Sequence, residues 1–244
     1  MERLYGYFKK MNYEQRITLV IRLLLVAAIV YFLTSFGSDG VARGFAQANS
    51  SDAEILFLMV LSLLLTFSFD YLEKRHNIRI PHIISTLTLI IIFCALFLGE
   101  IMDVYSAFWW WDDMLHMISS VLLGFAGLLL IYFLNSRFSM NLSPILVALF
   151  TLTFAVFIGV AWEIFEFIMD YFKGSNMQRW TAPEGIILLG KEYQGLGLRD
   201  TMSDLILNVF GGLIAGGYAF YLFKNEKRKA LKMMRETFGE SSSK

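Results

Sequence analysis

The sequence contains six apolar runs, each long enough to cross a lipid bilayer as a helix. They cover approximately residues 17–35, 54–72, 84–103, 114–135, 144–171 and 201–223. A helix that crosses about 30 Å of hydrocarbon needs roughly 20 mostly apolar residues. The sequence therefore predicts an all-α fold, a polytopic membrane protein built as a six-helix transmembrane bundle.

The composition supports one membrane domain. Hydrophobic residues make up 57% of the chain and charged residues 17%, whereas soluble domains are about 45–50% apolar and about 25% charged. No repeat, low-complexity segment or linker divides the runs, so we expect residues 1–244 to form a single six-span domain with short terminal segments. The single cysteine, Cys94, cannot form an internal disulfide. We expect membrane lipid as the surroundings and no nucleic acid as a partner.

Basic residues are distributed unevenly between the segments that join the runs. With the N-terminus inside, the inner segments hold fifteen Lys and Arg residues and the outer segments hold five. The inner segments are residues 1–16, 73–83, 136–143 and 224–244, and the outer segments are residues 36–53, 104–113 and 172–200. Since positive residues in short loops favour the cytoplasmic side, we expect both termini to be cytoplasmic. The Gly- and Pro-containing segment 172–200 is expected to be an irregular outer lid or a re-entrant segment.

Polar side chains occur at the predicted outer ends of the last three spans. They are Asp113 and His116 in the fourth span, Glu163 and Glu166 in the fifth, and Asp204 and Asn208 in the sixth. The members of each pair are three or four residues apart, so each pair can share one face of its helix. We therefore expect the six side chains to surround one site near the outer boundary of the membrane.

Several acidic side chains so close to the hydrocarbon are costly unless protons, basic partners, water or a cation compensate them. Carboxylate oxygens with one imidazole suit a divalent cation such as Zn²⁺, Mn²⁺ or Mg²⁺. The candidate metal ligands are Asp113, His116, Glu163 and Asp204. We expect Asp112, directly before Asp113, to be a solvated boundary residue.

Other polar and small residues have simpler interpretations. We expect Asp170 and Asp200 to be solvated residues at the membrane boundary. The glycines of the sixth span are expected to let helices pack closely, as small residues do in membranes; they are Gly211, Gly212, Gly216 and Gly217.

Three segments together resemble an uncharacterised family of bacterial membrane proteins, the YjdF-like family. They are "WDDMLH", "WEIFE" and "RDTMSDLILNVFGG", and the resemblance covers about the last 140 residues. More distantly, the order Arg199, Asp204, Asn208, Gly211 is similar to VanZ-like proteins, which are associated with glycopeptide tolerance. The resemblance implies a bacterial cytoplasmic membrane protein whose three segments form one site, and it brings no reaction with it.

Three functions fit the site. The first is a metal-dependent enzyme that hydrolyses or transfers a group on a lipid-linked envelope precursor. In that scheme the catalytic candidates are Glu163, Glu166 and Asn208, with Glu166 carrying a proton and Asn208 orienting an oxygen of the ligand or substrate. The second is a non-catalytic membrane accessory protein, in which the polar cluster braces three helices. The third is a cation- or proton-coupled carrier, which the confinement of the acids to one side disfavours.

The distribution of basic residues makes a testable prediction about topology. Reporters fused at Ser50 and Glu184 are expected to read as external, and reporters fused at Ile78 and Asn141 as internal. The measurement is the activity of paired reporters, one active only outside the cytoplasm and one active only inside. An external reading at Asn141 would reverse the fifth span and remove the shared outer layer.

Overall fold

The described part of the chain is helical and contains no β-strand. The computed structural model describes residues 11–34, 52–76, 80, 82–138, 140, 142–174, 176–180 and 195–226. The α-helices are α1 (Tyr13–Thr34), α2 (Asp52–Leu65), α3 (Ser68–His76), α4 (His82–Ile92), α5 (Val104–Ala107), α6 (Trp111–Phe138), α7 (Pro144–Lys173) and α8 (Leu196–Asn225). A π-helix, Phe93–Ile101, continues α4.

Six helical stretches in these ranges are long and apolar enough to cross a membrane. They are Tyr13–Thr34, Ile55–Arg75, Ile83–Ile101, Trp111–Asn135, Pro144–Phe172 and Leu196–Asn225. The predicted all-α, six-span architecture is thus confirmed. The sixth helix begins at Leu196, earlier than the predicted residue 201, because the charged pair Arg199 and Asp200 continues the helix beyond its apolar part.

The described residues fall into two compact units, and those of the first unit run up to Leu115. In this unit, α2 packs against both α1 and the π-helix through side chains that are almost fully buried. Leu25 of α1, Met59 of α2 and Ile101 of the π-helix each have at most 1% of their surface exposed. This apolar contact is the centre of the first unit.

An arginine inside the first span is bonded to a break in the second span. The α-helical hydrogen bonds stop between α2 and α3, at Thr66 and Phe67. The Arg22 guanidinium donates to the Thr66 carbonyl oxygen at 2.6 Å and to Asp70 Oδ2 at 2.7 Å. Its central carbon also lies 4.0 Å from the centre of the Phe67 ring. The break therefore supplies a carbonyl acceptor and an aromatic face for the cation.

The second unit starts at His116 and contains the rest of α6, together with α7 and α8. Ser143 caps α7 by accepting a hydrogen bond from the Leu146 N–H at 3.3 Å, and Pro144 occupies the first turn, where no N–H is needed. The helix ends at Gly174, whose φ of 67° is in the left-handed region that glycine tolerates. The cap at Ser143 and the end at Gly174 fix the bounds of α7, and Glu163 lies in the C-terminal third of this helix.

Three of the four α8 glycines that were predicted to allow close packing lie directly against neighbouring helices. A Cβ at Gly211 would lie 2.8 Å from the Met117 carbonyl oxygen of α6. A Cβ at Gly216 would lie 3.0 Å from the Ala148 carbonyl oxygen of α7, and one at Gly212 would lie 3.2 Å from that of Leu152. The predicted packing role is confirmed for these three. It is wrong for Gly217, which has no atom within 4 Å of such a Cβ.

The predictions about topology and domain number stay predictions. Residues 1–10, 181–194 and 227–244 lie outside the described residues, as do all four of the proposed reporter positions. The division between the units falls inside α6, after its first turn. Asp112 and His116 therefore belong to one continuous helix although the boundary lies between them.

The glycine contacts predict a difference between two matched substitutions. Gly211→Ala would place a methyl group against the backbone of α6, and such overpacking costs about 1–3 kcal/mol. Gly217→Ala adds the same methyl group in open space and should not destabilise the protein. Thermal unfolding in detergent should show a lower melting temperature for Gly211→Ala alone. Equal melting temperatures for the two variants would contradict the close approach of α8 to α6.

Candidate metal site

The imidazole of His116 lies between two carboxylates from different helices. Nδ1 of His116 is 3.8 Å from Oε1 of Glu163 on α7, and Nε2 is 3.9 Å from Oδ2 of Asp204 on α8. The side chains are 8%, 4% and 2% exposed, respectively. Both distances exceed those of a direct hydrogen bond, which is about 2.7–3.2 Å for a nitrogen donor. The structure thus brings together three of the four predicted ligands: His116, Glu163 and Asp204.

A carboxylate of α6, that of Asp112, also lies beside His116. Asp112, His116 and Asp204 can each offer one ligand atom, and these atoms lie within 4.8 Å of one another. Asp112 is buried, so the expectation that it is a solvated boundary residue is wrong. The reason is that Asp112 lies one turn before His116 on α6 and shares the buried face of the helix with it. Asp113, the predicted ligand, is half-buried and is not a member of this group.

Glu166 is buried one turn beyond Glu163 on α7. Its Oε1 accepts a hydrogen bond from the indole N–H of Trp162 at 2.7 Å, while only 6% of the residue is exposed. The indole itself is partly exposed. Trp162 therefore shields a buried carboxyl group and fixes the direction of one of its oxygens. The motif "WEIFE" contains this contact as a Trp and a Glu four residues apart.

Asn208 lies one turn beyond Asp204 on α8 and is 2% exposed. Its backbone carbonyl oxygen accepts a hydrogen bond from Ser120 Oγ of α6 at 2.6 Å. Its side-chain nitrogen has no hydrogen-bond partner among the described residues. Most buried polar groups are hydrogen-bonded, and an unmet buried donor costs about 1–3 kcal/mol. The Asn208 amide is thus a donor available to a ligand oxygen.

The position of that amide depends on a glycine of α7. A Cβ at Gly159 would overlap the carboxamide of Asn208. Gly159 is four residues before Glu163, so both lie on the same face of α7. The side chain of Asn208 therefore packs against α7 about one turn before Glu163, which contacts His116.

Residues 176–180, which we call the strap, are held at the end of α7. Both carboxylate oxygens of Asp170 are used, since they accept hydrogen bonds from the backbone N–H groups of residues 177 and 178 at 2.8 and 2.9 Å. The Gln178 side chain donates to Thr201 Oγ1 of α8 at 2.7 Å. The expectation of a solvated Asp170 is thus wrong. The strap is irregular, as predicted. The prediction is wrong for residues 196–200, which form the first turn of α8.

A charged contact joins the strap to the beginning of α8. Arg179 Nε lies 4.0 Å from Oδ1 of Asp200, and the two side chains are 27% and 16% exposed. Asp200 is therefore half-buried beside a cation, and the expectation that it is a solvated boundary residue is wrong. Arg179 has a φ of 45°, in the left-handed region. The contact was not visible in the sequence because the two residues are far apart along the chain and follow no helical period.

Comparison with known proteins identifies one family. No curated protein and no solved structure matches the chain. A family model described as "Predicted membrane protein (DUF2238)" matches residues 17–225, from the first candidate span to the last. The YjdF-like family is this same family, so the resemblance seen in the three motifs is confirmed, while the more distant VanZ-like relation stays a prediction. The chain belongs to the DUF2238 family of membrane proteins.

Proposed function

We propose that this protein is a divalent-cation-dependent membrane enzyme, and that Asp112, His116 and Asp204 hold the cation. The observation that carries the proposal is that these three buried residues can place one ligand atom each within 4.8 Å of one another. Ligand atoms around one cation at roughly 2.1 Å are at most about 4.2 Å apart, so small side-chain movements suffice to close the group.

The chemistry of these residues fits a divalent cation. One imidazole nitrogen and two carboxylate oxygens are ligands that Zn²⁺ and Mn²⁺ both accept. Catalytic zinc sites commonly use three protein ligands and leave a further position for water or substrate. Two positive charges would also offset the repulsion between the carboxylates that surround His116. These points support a catalytic cation over a purely structural one.

The surrounding side chains have roles in such a site. A bound divalent cation polarises a substrate oxygen or activates a water molecule. The unused N–H groups of Asn208 would hold an oxygen of the substrate. Glu166 would carry a proton to or from the leaving group, since its carboxyl group is buried next to the site and fixed by Trp162.

The place of the site in the membrane favours a substrate with a lipid tail. His116, Glu163 and Asp204 lie near one end of three membrane-spanning helices. In the topology inferred from the basic residues, this is the extracytoplasmic end in a bacterial plasma membrane. A lipid-linked envelope precursor would keep its tail in the bilayer and present its polar head group at this level. The proposed reaction is hydrolysis or transfer of that head group.

The alternative accessory function has one specific observation in its favour. The hydrogen bond from Ser120 to the Asn208 backbone and the glycine contacts of α8 already brace the three helices. If bracing were the whole function, the wild type would contain no stoichiometric metal after exposure to Zn²⁺ or Mn²⁺. A Glu163→Gln substitution would then be nearly silent, because an amide keeps the hydrogen-bonding capacity of the carboxyl group.

The cation site predicts opposite results for two adjacent aspartates. Asp112→Asn replaces a charged carboxylate ligand by an uncharged amide and should lower the Zn²⁺ or Mn²⁺ content of the purified protein by at least about tenfold, since these metal sites rely on deprotonated ligands. Asp113→Asn is the matched control and should keep the metal. The measurement is elemental analysis of the folded, detergent-purified variants, with His116→Ala and Asp204→Ala as positive controls for loss.

The enzymatic part of the proposal has its own readout. The wild type should release a phosphate-containing head group from an isoprenyl diphosphate lipid, and a chelator or Asp204→Ala should abolish the release. Metal-free wild type protein would contradict the cation site. Loss of metal in Asp113→Asn but not in Asp112→Asn would assign the ligand role to Asp113 instead.

A further inference from the structure

We propose that Glu163 is a positioning residue that fixes the ring of His116 and does not bind the cation itself. This inference rests on the proposed cation site and deepens it. The geometry behind it is that the two ring nitrogens face carboxylates on different helices. Nδ1 faces Glu163 of α7 at 3.8 Å, and Nε2 faces Asp204 of α8 at 3.9 Å.

The two nitrogens cannot serve the same cation. The lone pairs of an imidazole ring lie in the ring plane and point away from each other, so a cation bound to one nitrogen lies far from the other. Asp204 and Asp112 together form the ligand group with His116, and Asp204 faces Nε2. The cation therefore belongs on the Nε2 side of the ring. Glu163 contacts the ring from the opposite side.

The position of Glu163 determines which nitrogen carries the proton. A neutral imidazole has one N–H group and one lone pair, and an ionised carboxylate only accepts hydrogen bonds. When a cation occupies the Nε2 side, Glu163 is the acceptor at Nδ1 and stabilises the Nδ1–H form. That form leaves the Nε2 lone pair available for the cation. Histidine ligands in metal sites commonly donate their other N–H to such a carboxylate.

Burial makes this control of the ring effective. The side chains of His116 and Glu163 are 8% and 4% exposed, so bulk water does not readily replace the carboxylate as the acceptor. Glu163 lies inside α7, four residues beyond Gly159, and that glycine allows the Asn208 side chain to pack closely against α7. The carboxylate is thus held by a packed helix and not by a loop.

The test compares two carboxylate-to-amide substitutions in the full-length protein, with Zn²⁺ alone as the probe. Glu163→Gln keeps an oxygen that accepts from Nδ1–H, so its Zn²⁺ affinity should fall less than that of Glu163→Ala, which should lose about 10–100-fold. Asp204→Asn should lose one-to-one Zn²⁺ binding, because it replaces an anionic ligand by an uncharged amide. Affinity is measured by competition with a chelator, and Glu14→Gln in α1 serves as the control for an unrelated acid-to-amide change.

A second measurement identifies the nitrogen that binds. Nitrogen-15 NMR of the Zn²⁺-loaded, histidine-labelled protein should show a protonated Nδ1 and a metal-bound Nε2 for His116 in the wild type and in Glu163→Gln. In Glu163→Ala this preference should be lost at saturating Zn²⁺. A purely structural role for Glu163 would change the stability of the protein without changing the bound nitrogen.

The outcomes separate this inference from the proposed function. If Glu163→Gln loses one-to-one binding as completely as Asp204→Asn, Glu163 is a ligand and the inference is overturned, while the cation site stands. The inference is also overturned, and the cation site still stands, if Nδ1 is the metal-bound nitrogen. A folded wild type that binds no Zn²⁺ overturns the cation site and this inference with it. If Glu163→Ala does not fold, the comparison of Glu163→Gln with Asp204→Asn still decides between the two roles.

Discussion

Helices in a bilayer are held together by close packing and hydrogen bonds, because lipid tails are as apolar as the side chains they contact. In the second unit this closeness comes from glycines. Gly211 brings α8 against the backbone of α6, and Gly212 and Gly216 bring it against α7. The cluster around His116 depends on these approaches, since its members come from all three helices. A wider spacing would separate the imidazole from both carboxylates at once.

The same packing explains why ionisable groups are found where the surroundings are mostly apolar. Lone charged side chains are costly in a membrane interior, so they occur where neighbours compensate them. His116 faces two carboxylates, Glu166 accepts from an indole, and Asp170 accepts from two backbone N–H groups. Each of these acids has a defined direction. In the proposed enzyme, such fixed directions would place the polar groups around the reacting atoms in advance, and catalysis depends on this placement.

The spans and the convergence of Glu163, His116 and Asp204 were predictable from the sequence, because run length and helical spacing determine them. The choice between Asp112 and Asp113 was not, since residues three and four positions before His116 both fit one helix face. The rotation of α6 against its neighbours decides between them, and that rotation is a tertiary property. The contacts of Asp170 with residues 177 and 178 likewise follow no period, because they form beyond the helix end.

The break in the second span has a consequence for membrane insertion. An arginine that enters lipid by itself costs about 2.5–3.5 kcal/mol at the centre of the bilayer. Arg22 finds its carbonyl and carboxylate acceptors in the next span of the chain, at Thr66 and Asp70. The first two spans are therefore better inserted together as a hairpin than one after the other. The interrupted helix thus supplies the polar partners that lower the cost of placing Arg22 of the preceding span in lipid.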